Sequence, residues 1–145
     1  MDTYAPLDPH YKQKILAAAN EQIRFWHLLG MQIADVRKGW ARLRIPFDEK
    51  LTNASGRLHG GVIFSAADSA IGVALLGLLK PGERLATLEM KINYLKPVFA
   101  EDITAEARIV HRGQQTAVGD VDVRDASGSQ VAKALSTYAI WPEEK

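Results

Sequence analysis

The sequence predicts an α+β fold: an antiparallel sheet of about six strands wrapped around one central apolar helix, with a further helix at the amino terminus. Three observations predict it. One long apolar run, Val62 to Leu79, carries no basic residue and is bounded by Gly60-Gly61 before it and Pro81-Gly82 after it. Apolar and polar residues then alternate over Ala86 to Tyr94, the period of a strand with one buried face. The segments that follow are spaced as a meander, separated by turn-forming residues. No repeat, low-complexity tract or linker interrupts the 145 residues, so 1–145 reads as one domain, with 1–29 an amino-terminal helical segment and 30–142 the core.

Taken in order, Pro9 followed by His10 to Leu29 reads as one amphipathic helix with Ile15, Leu16, Ala19, Ile23, Trp26 and Leu29 on a single face and Gly30 as its stop. Gln32 to Val36 and Trp40 to Ile45 read as two strands joined through Arg37-Lys38-Gly39, and Pro46 ends the pair. Asp48 to His59 is polar and turn-rich, and the apolar helix begins at Gly60-Gly61. In the next strand Ala86, Leu88, Met90, Ile92 and Tyr94 form the buried face, which leaves Thr87, Glu89, Lys91 and Asn93 on the polar one. Ile103 to Val110, Ala117 to Val123 and Val131 to Ile140 complete the sheet through tight hairpins at Arg112-Gly113-Gln114 and Asp125-Ala126-Ser127-Gly128. A helix without a polar face must be covered on all sides, and one sheet covers only about half of it. The amino-terminal helix and a second copy of the chain are expected to supply the remainder.

Composition excludes several functions. With 47% hydrophobic and 24% charged residues the chain reads as an ordinary soluble domain, long enough to bury a core without metal or disulfide staples. It has no cysteine, which removes disulfide frameworks, thiolate zinc sites, iron–sulfur clusters and a cysteine nucleophile together. The formal net charge of +1 gives no general electrostatic reason to bind nucleic acid or an anionic membrane. Met1-Asp2-Thr3-Tyr4-Ala5-Pro6 shows no basic region leading into an apolar stretch, which reads as no signal peptide and a cytoplasmic protein. The apolar run is long enough to raise a membrane span, but Asp68 near its middle argues against one.

Asn53, His59, Gly60, Gly61 and Asp68 fall within sixteen residues of one another. Each has a plain structural reading: an Asx turn for Asn53, a helix cap for His59, a tight helix entry or close packing for the glycines. Asp68 is the most informative. A carboxylate amid Ala66, Ala67, Ala70 and Ile71 is costly to bury unless it is paired or has a task, and no basic residue precedes Lys80 on its own helix. The N–H groups of Gly60 and Gly61 sit at a helix start, backed by the positive end of its dipole, and suit a developing oxyanion. Oxyanion donors with a lone carboxylate fit acyl-group hydrolysis, and no Gly-x-Ser-x-Gly elbow competes. Asp68 lies eight residues beyond Gly60, about 12 Å along the axis, too far for a single tetrahedral centre to use both comfortably. Two helices meeting at a two-fold interface would bring Asp68 of one copy to Gly60 of the other.

These residues carry a resemblance. Asn53-x-x-Gly56-x-x-His59-Gly60-Gly61, Asp68, and Thr87-Leu88-Glu89-Met90-Lys91-Ile92-Asn93-Tyr94-Leu95-Lys96-Pro97 together resemble the hotdog-fold acyl-CoA thioesterases of the phenylacetic-acid-degradation type, over about residues 30 to 140. The resemblance implies a hotdog dimer with one continuous sheet, which pairs again to a tetramer and hydrolyses an aromatic or medium- to long-chain acyl-CoA without a cofactor or metal. Carried onto this sequence, Gly60 supplies the oxyanion N–H, Asn53 orients the carbonyl and His59 positions the thioester. Asp68 of the neighbouring chain activates water or attacks as nucleophile, with a hydroxyl from Thr87 beside it. Gly61, Arg57, Lys96 and Arg112 are the substrate-binding candidates, the three cations for the CoA phosphates. A hotdog that binds acyl-CoA without hydrolysing it would lack the acid at 68, and a hotdog hydratase or dehydratase would want a His–acid pair that the motif does not show.

Overall fold

In the computed structural model, which describes residues 3–144, two helices precede the sheet: α1 (Pro9–Gln22) and α2 (Arg24–Leu29). Met1, Asp2 and Lys145 lie outside the described residues, and with them the start of the amino-terminal reading above. The chain continues through β1 (Gln32–Arg37), β2 (Trp40–Ile45), a short 3-10 turn (Glu49–Leu51), α3 (Gly60–Leu76), β3 (Glu83–Tyr94), β4 (Ile103–Arg112), β5 (Thr116–Asp125) and β6 (Gln130–Pro142). The strands form one antiparallel sheet in the order β1-β2-β4-β5-β6-β3, so β1 and β3 are its edges.

The amino-terminal helix is two helices and not one. Asp8 caps α1 by accepting from the Tyr11 N–H at 2.9 Å, but the backbone leaves helical geometry at Ile23 (φ −98°, ψ 86°). The break redirects the chain so that Trp26 and Leu29 enter the core while Phe25 and Leu28 stay exposed, and Gly30 ends α2 in the left-handed conformation.

The sheet wraps one side of α3. Val62, Ile63, Ala66, Ala67, Ala70, Ile71, Ala74 and Leu75 are buried against it, and β5 approaches so closely that a Cβ on Gly119 would lie 2.4 Å from Cγ2 of Ile71. A stripe made of Gly61, Phe64, Ser65, Asp68, Ser69, Gly72 and Leu76 is less buried. Over its carboxyl-terminal half lies α1, tied by the Tyr11 hydroxyl to the carbonyl of Leu76 at 2.9 Å. Phe64, nearer the start of the helix, is 38% exposed.

The expected faces of β3 change partway along it. Thr87 pairs with Tyr138 and Glu89 with Thr137, which leaves Leu88 as an extra residue in a β-bulge. The bulge inverts the alternation, so Leu85 and Thr87 share the face turned to α3 with Met90, Ile92 and Tyr94, and Leu88 is 60% exposed. Buried Ser136 donates to the Glu89 carbonyl at 2.6 Å and satisfies a group beside the bulge.

Candidate active site

The loop before α3 is closed by Asn53, whose Oδ1 accepts from the Ser55 N–H (3.0 Å), the Ser55 hydroxyl (2.8 Å) and the Arg57 N–H (3.1 Å). This is the Asx turn of the plain reading. The Nδ2 donor of the carboxamide takes no part in these bonds. His59 is the N-cap of α3, its Nδ1 accepting from the Gly61 N–H at 2.9 Å. That bond removes Gly61 from the expected pair of open donors. Among the described residues nothing accepts from the Gly60 N–H, so the helix start offers Gly60 alone. Tyr94 packs on this turn, donating to the Gly60 carbonyl at 2.8 Å, and a Cβ on Gly60 would lie 3.2 Å from its ring. A side chain at that position would press on the Tyr94 ring.

Two helical turns on, Oδ1 of Asp68 accepts from the Thr87 hydroxyl at 2.8 Å and from the Tyr138 hydroxyl at 2.7 Å. The Tyr138 hydroxyl also lies 2.6 Å from the Asp68 backbone carbonyl. Asp68 is half-buried and answered by neutral donors, not by an Arg or Lys. Thr87 reaches it because of the Leu88 bulge; the simple alternation had turned Thr87 outward. Burial pushes the Tyr138 hydroxyl far above its ordinary value and the carboxylate beside it adds to the rise, so Tyr138 remains a neutral donor.

Two different cavities open onto these groups. One of about 460 Å³ contains Asp68, Thr87 and Tyr138 at one side and is otherwise mostly apolar, walled by Ile15, Ala19, Ile23, Trp26 and Leu85. Another of about 290 Å³ contains Asn53, Arg57, Gly60, Tyr94 and Lys96. Neither contains both Gly60 and Asp68.

Of the three candidate cations, Arg57 and Lys96 line the Gly60 cavity and Arg112 does not. Arg57 lies over the Phe99 ring at 5.5 Å, and Lys96 pairs with Asp125 at 2.7 Å while its side chain stays 47% exposed. The Lys96 ammonium, with the Ser127 hydroxyl, holds the Asp125 carboxyl down to about 2. Arg112 sits beside the first residue of β3, paired with Glu83 at 2.5 Å and bonded to the carbonyls of Gly113 and Gln114. Among the described residues no group of three or more His, Cys, Asp or Glu side chains could hold a metal ion, and no helix is long and apolar enough to cross a membrane.

Sequence reasoning missed Tyr94 as a support for the helix start and Tyr138 as a partner of the acid. Alternation along β6 could have turned Tyr138 inward, but nothing local shows that it stands opposite Thr87.

Residues 55–132 match the thioesterase superfamily. A protein of Saccharolobus solfataricus named as an esterase is 37% identical over 123 residues, covering 85% of this chain and 81% of that protein. The 1,4-dihydroxy-2-naphthoyl-CoA hydrolase of Listeria monocytogenes is 29% identical, covering 81% and 95%. A medium/long-chain acyl-CoA thioesterase of Escherichia coli is 28% identical, covering 80% and 84%. Among solved structures, the PaaI protein of the E. coli phenylacetic acid degradation operon superposes with a TM-score of 0.83 at 26% identity, covering 92% and 96%. A thioesterase protein of Streptococcus pneumoniae, solved with coenzyme A, superposes with a TM-score of 0.71 at 29% identity, covering 79% and 88%. The fold is the α+β hotdog that the sequence predicts.

Proposed function

The chain belongs to the thioesterase superfamily, and on that premise we propose that it hydrolyses acyl-CoA thioesters at sites shared between two copies of the chain. The observation that carries the reading is the division of labour along α3: the Gly60 N–H opens onto one cavity and the Asp68 carboxylate onto another. A neighbouring chain would bring the two together. The exposed edge of β3, with Phe64 and Leu88 both exposed, supports pairing of two sheets edge to edge.

In such a site the thioester carbonyl oxygen accepts from the Gly60 N–H and the Asn53 Nδ2 of one chain. Asp68 of the other takes a proton from water as the water oxygen bonds to the carbonyl carbon. The negative charge that gathers on oxygen is held by the two donors and the helix dipole. Collapse of the tetrahedral intermediate breaks the carbon–sulfur bond, and CoA leaves as a thiolate that gains a proton. His59 serves the site through the helix start, and Thr87 through Asp68. Arg57 and Lys96 border the Gly60 cavity, where an exposed cation can meet CoA phosphates.

The apolar cavity beside Asp68 suits an acyl group without distal charge, medium- to long-chain or aromatic. The relatives named for a medium/long-chain acyl-CoA and for a dihydroxynaphthoyl-CoA support a CoA thioester and bracket that choice. Incubation with straight-chain and aryl acyl-CoAs, read as free thiol, tests the reading. Release is expected for apolar acyl groups; tight binding with no release would mean a carrier or sensor, and a hydrated product with the thioester intact would mean a hydratase.

A further inference from the structure

We propose that Tyr138 is a positioning residue for this reaction, its hydroxyl acting with that of Thr87 to hold Oδ1 of Asp68 and so turn Oδ2 toward the substrate. The proposal rests on the thioesterase reading and concerns which atoms of Asp68 do the work. Both hydroxyls converge on the same oxygen, at 2.7 and 2.8 Å, and among the described residues nothing donates to Oδ2. Two donors from two different strands, β6 and β3, fix the carboxylate plane more firmly than one could. Tyr138 is only 2% exposed, and its ring is held by the core on which α3 rests.

The tyrosine has one proton and two acceptors in reach, Oδ1 at 2.7 Å and the Asp68 backbone carbonyl at 2.6 Å. While Asp68 is ionised, the bond to Oδ1 is charge-assisted and the stronger of the two. When Oδ2 takes the proton of the attacking water the charge is gone, and the phenolic O–H turns to the backbone carbonyl. No proton leaves Tyr138 in either state. The buried hydroxyl is satisfied throughout the cycle, so the proton transfer leaves no orphaned polar group behind it. Burial keeps Tyr138 in its neutral, donating form.

Tyr138→Phe keeps the ring and its packing, and a thermal melt checks that the variant is folded. It is expected to lower kcat by about ten- to a hundredfold, the scale of losing one hydrogen bond to a charged group, with KM within about twofold of wild type. In an Asp68→Asn background the same change is expected to alter kcat by less than about twofold, because Tyr138 acts only through the carboxylate. A Tyr138→Phe enzyme with wild-type kcat, a rise in KM alone, or an equal loss in both backgrounds would each overturn the proposal. A wild-type protein inert toward every acyl-CoA would overturn the thioesterase reading and this proposal with it. An active wild type with an unaffected Tyr138→Phe variant would overturn only the latter.

Discussion

The first turn of α3 and the turn that carries Asp68 belong to one helix and are chemically opposite. The first presents a backbone donor. Its shape is fixed by a histidine cap, a tyrosine packed on bare glycine and an Asx turn before it, and it borders a partly polar cavity. The second presents a side-chain acceptor, fixed by two hydroxyls from the sheet and set beside an apolar cavity. Their separation has an electrostatic reason. The field of a helix start falls off within about one turn, so an acid placed there would bind the very donors that an oxyanion needs. Two turns away it does not compete. On the proposed mechanism that separation creates another problem, since one thioester would have to touch both groups, and a two-fold partner is the simplest way to rejoin them.

Removing either half should show which does more. Asp68→Asn keeps the size of the side chain and deletes the base, and should lower kcat by roughly 10² or more in a thiol-release assay; a variant at half the wild-type rate would take Asp68 out of the mechanism. Asn53→Ala should cost about 10 to 10³ in kcat, as loss of one oxyanion donor can, with a smaller effect on KM. A rise in KM alone would make Asn53 a ground-state contact. Mixing the two variants tests whether the two halves come from different chains. Unfolded and refolded together, they should form about half heterodimers, each with one site carrying both defects and one carrying neither, and activity should return to about a quarter of wild type. If mass spectrometry shows heterodimers and activity stays at the level of the parents, both halves act within one chain.

Much of this was legible because it is local. Hydrophobic period places the central helix and the meander, and the helix start is visible in His59-Gly60-Gly61. What escaped depends on register. The bulge at Leu88 puts an apolar residue outward and a threonine inward, against the plain alternation, because pairing with β6 and the Ser136 bond to Glu89 outweigh the pattern of β3 alone. Tyr138 is 70 residues from Asp68, and only the β6–β3 register brings it to the acid. The break at Ile23 was hidden by an apolar spacing that stays helical across it. The Gly61 N–H looked open because a cap is a side-chain choice, and the sequence offered His59 two roles without deciding between them.

That choice gives the smallest effect expected at the site. His59 accepts from the Gly61 N–H with Nδ1, so its ring works on the helix start and leaves the Gly60 N–H open. His59→Ala should therefore behave as the loss of an N-cap, costing about 0.5 to 2 kcal/mol and lowering Tm by about 2 to 4 °C per kcal/mol in a chain of this size. The Gly61 N–H is near solvent and can turn to water, which keeps the cost from growing further. kcat should fall only a few-fold, since the Gly60 N–H stays where it was. His59→Asn, which can cap in the same way, should recover most of the lost Tm. The opposite pattern, an unchanged Tm with a kcat reduced as far as in Asp68→Asn, would mean that the imidazole touches the thioester itself and that the first turn contributes a side chain as well as a backbone donor.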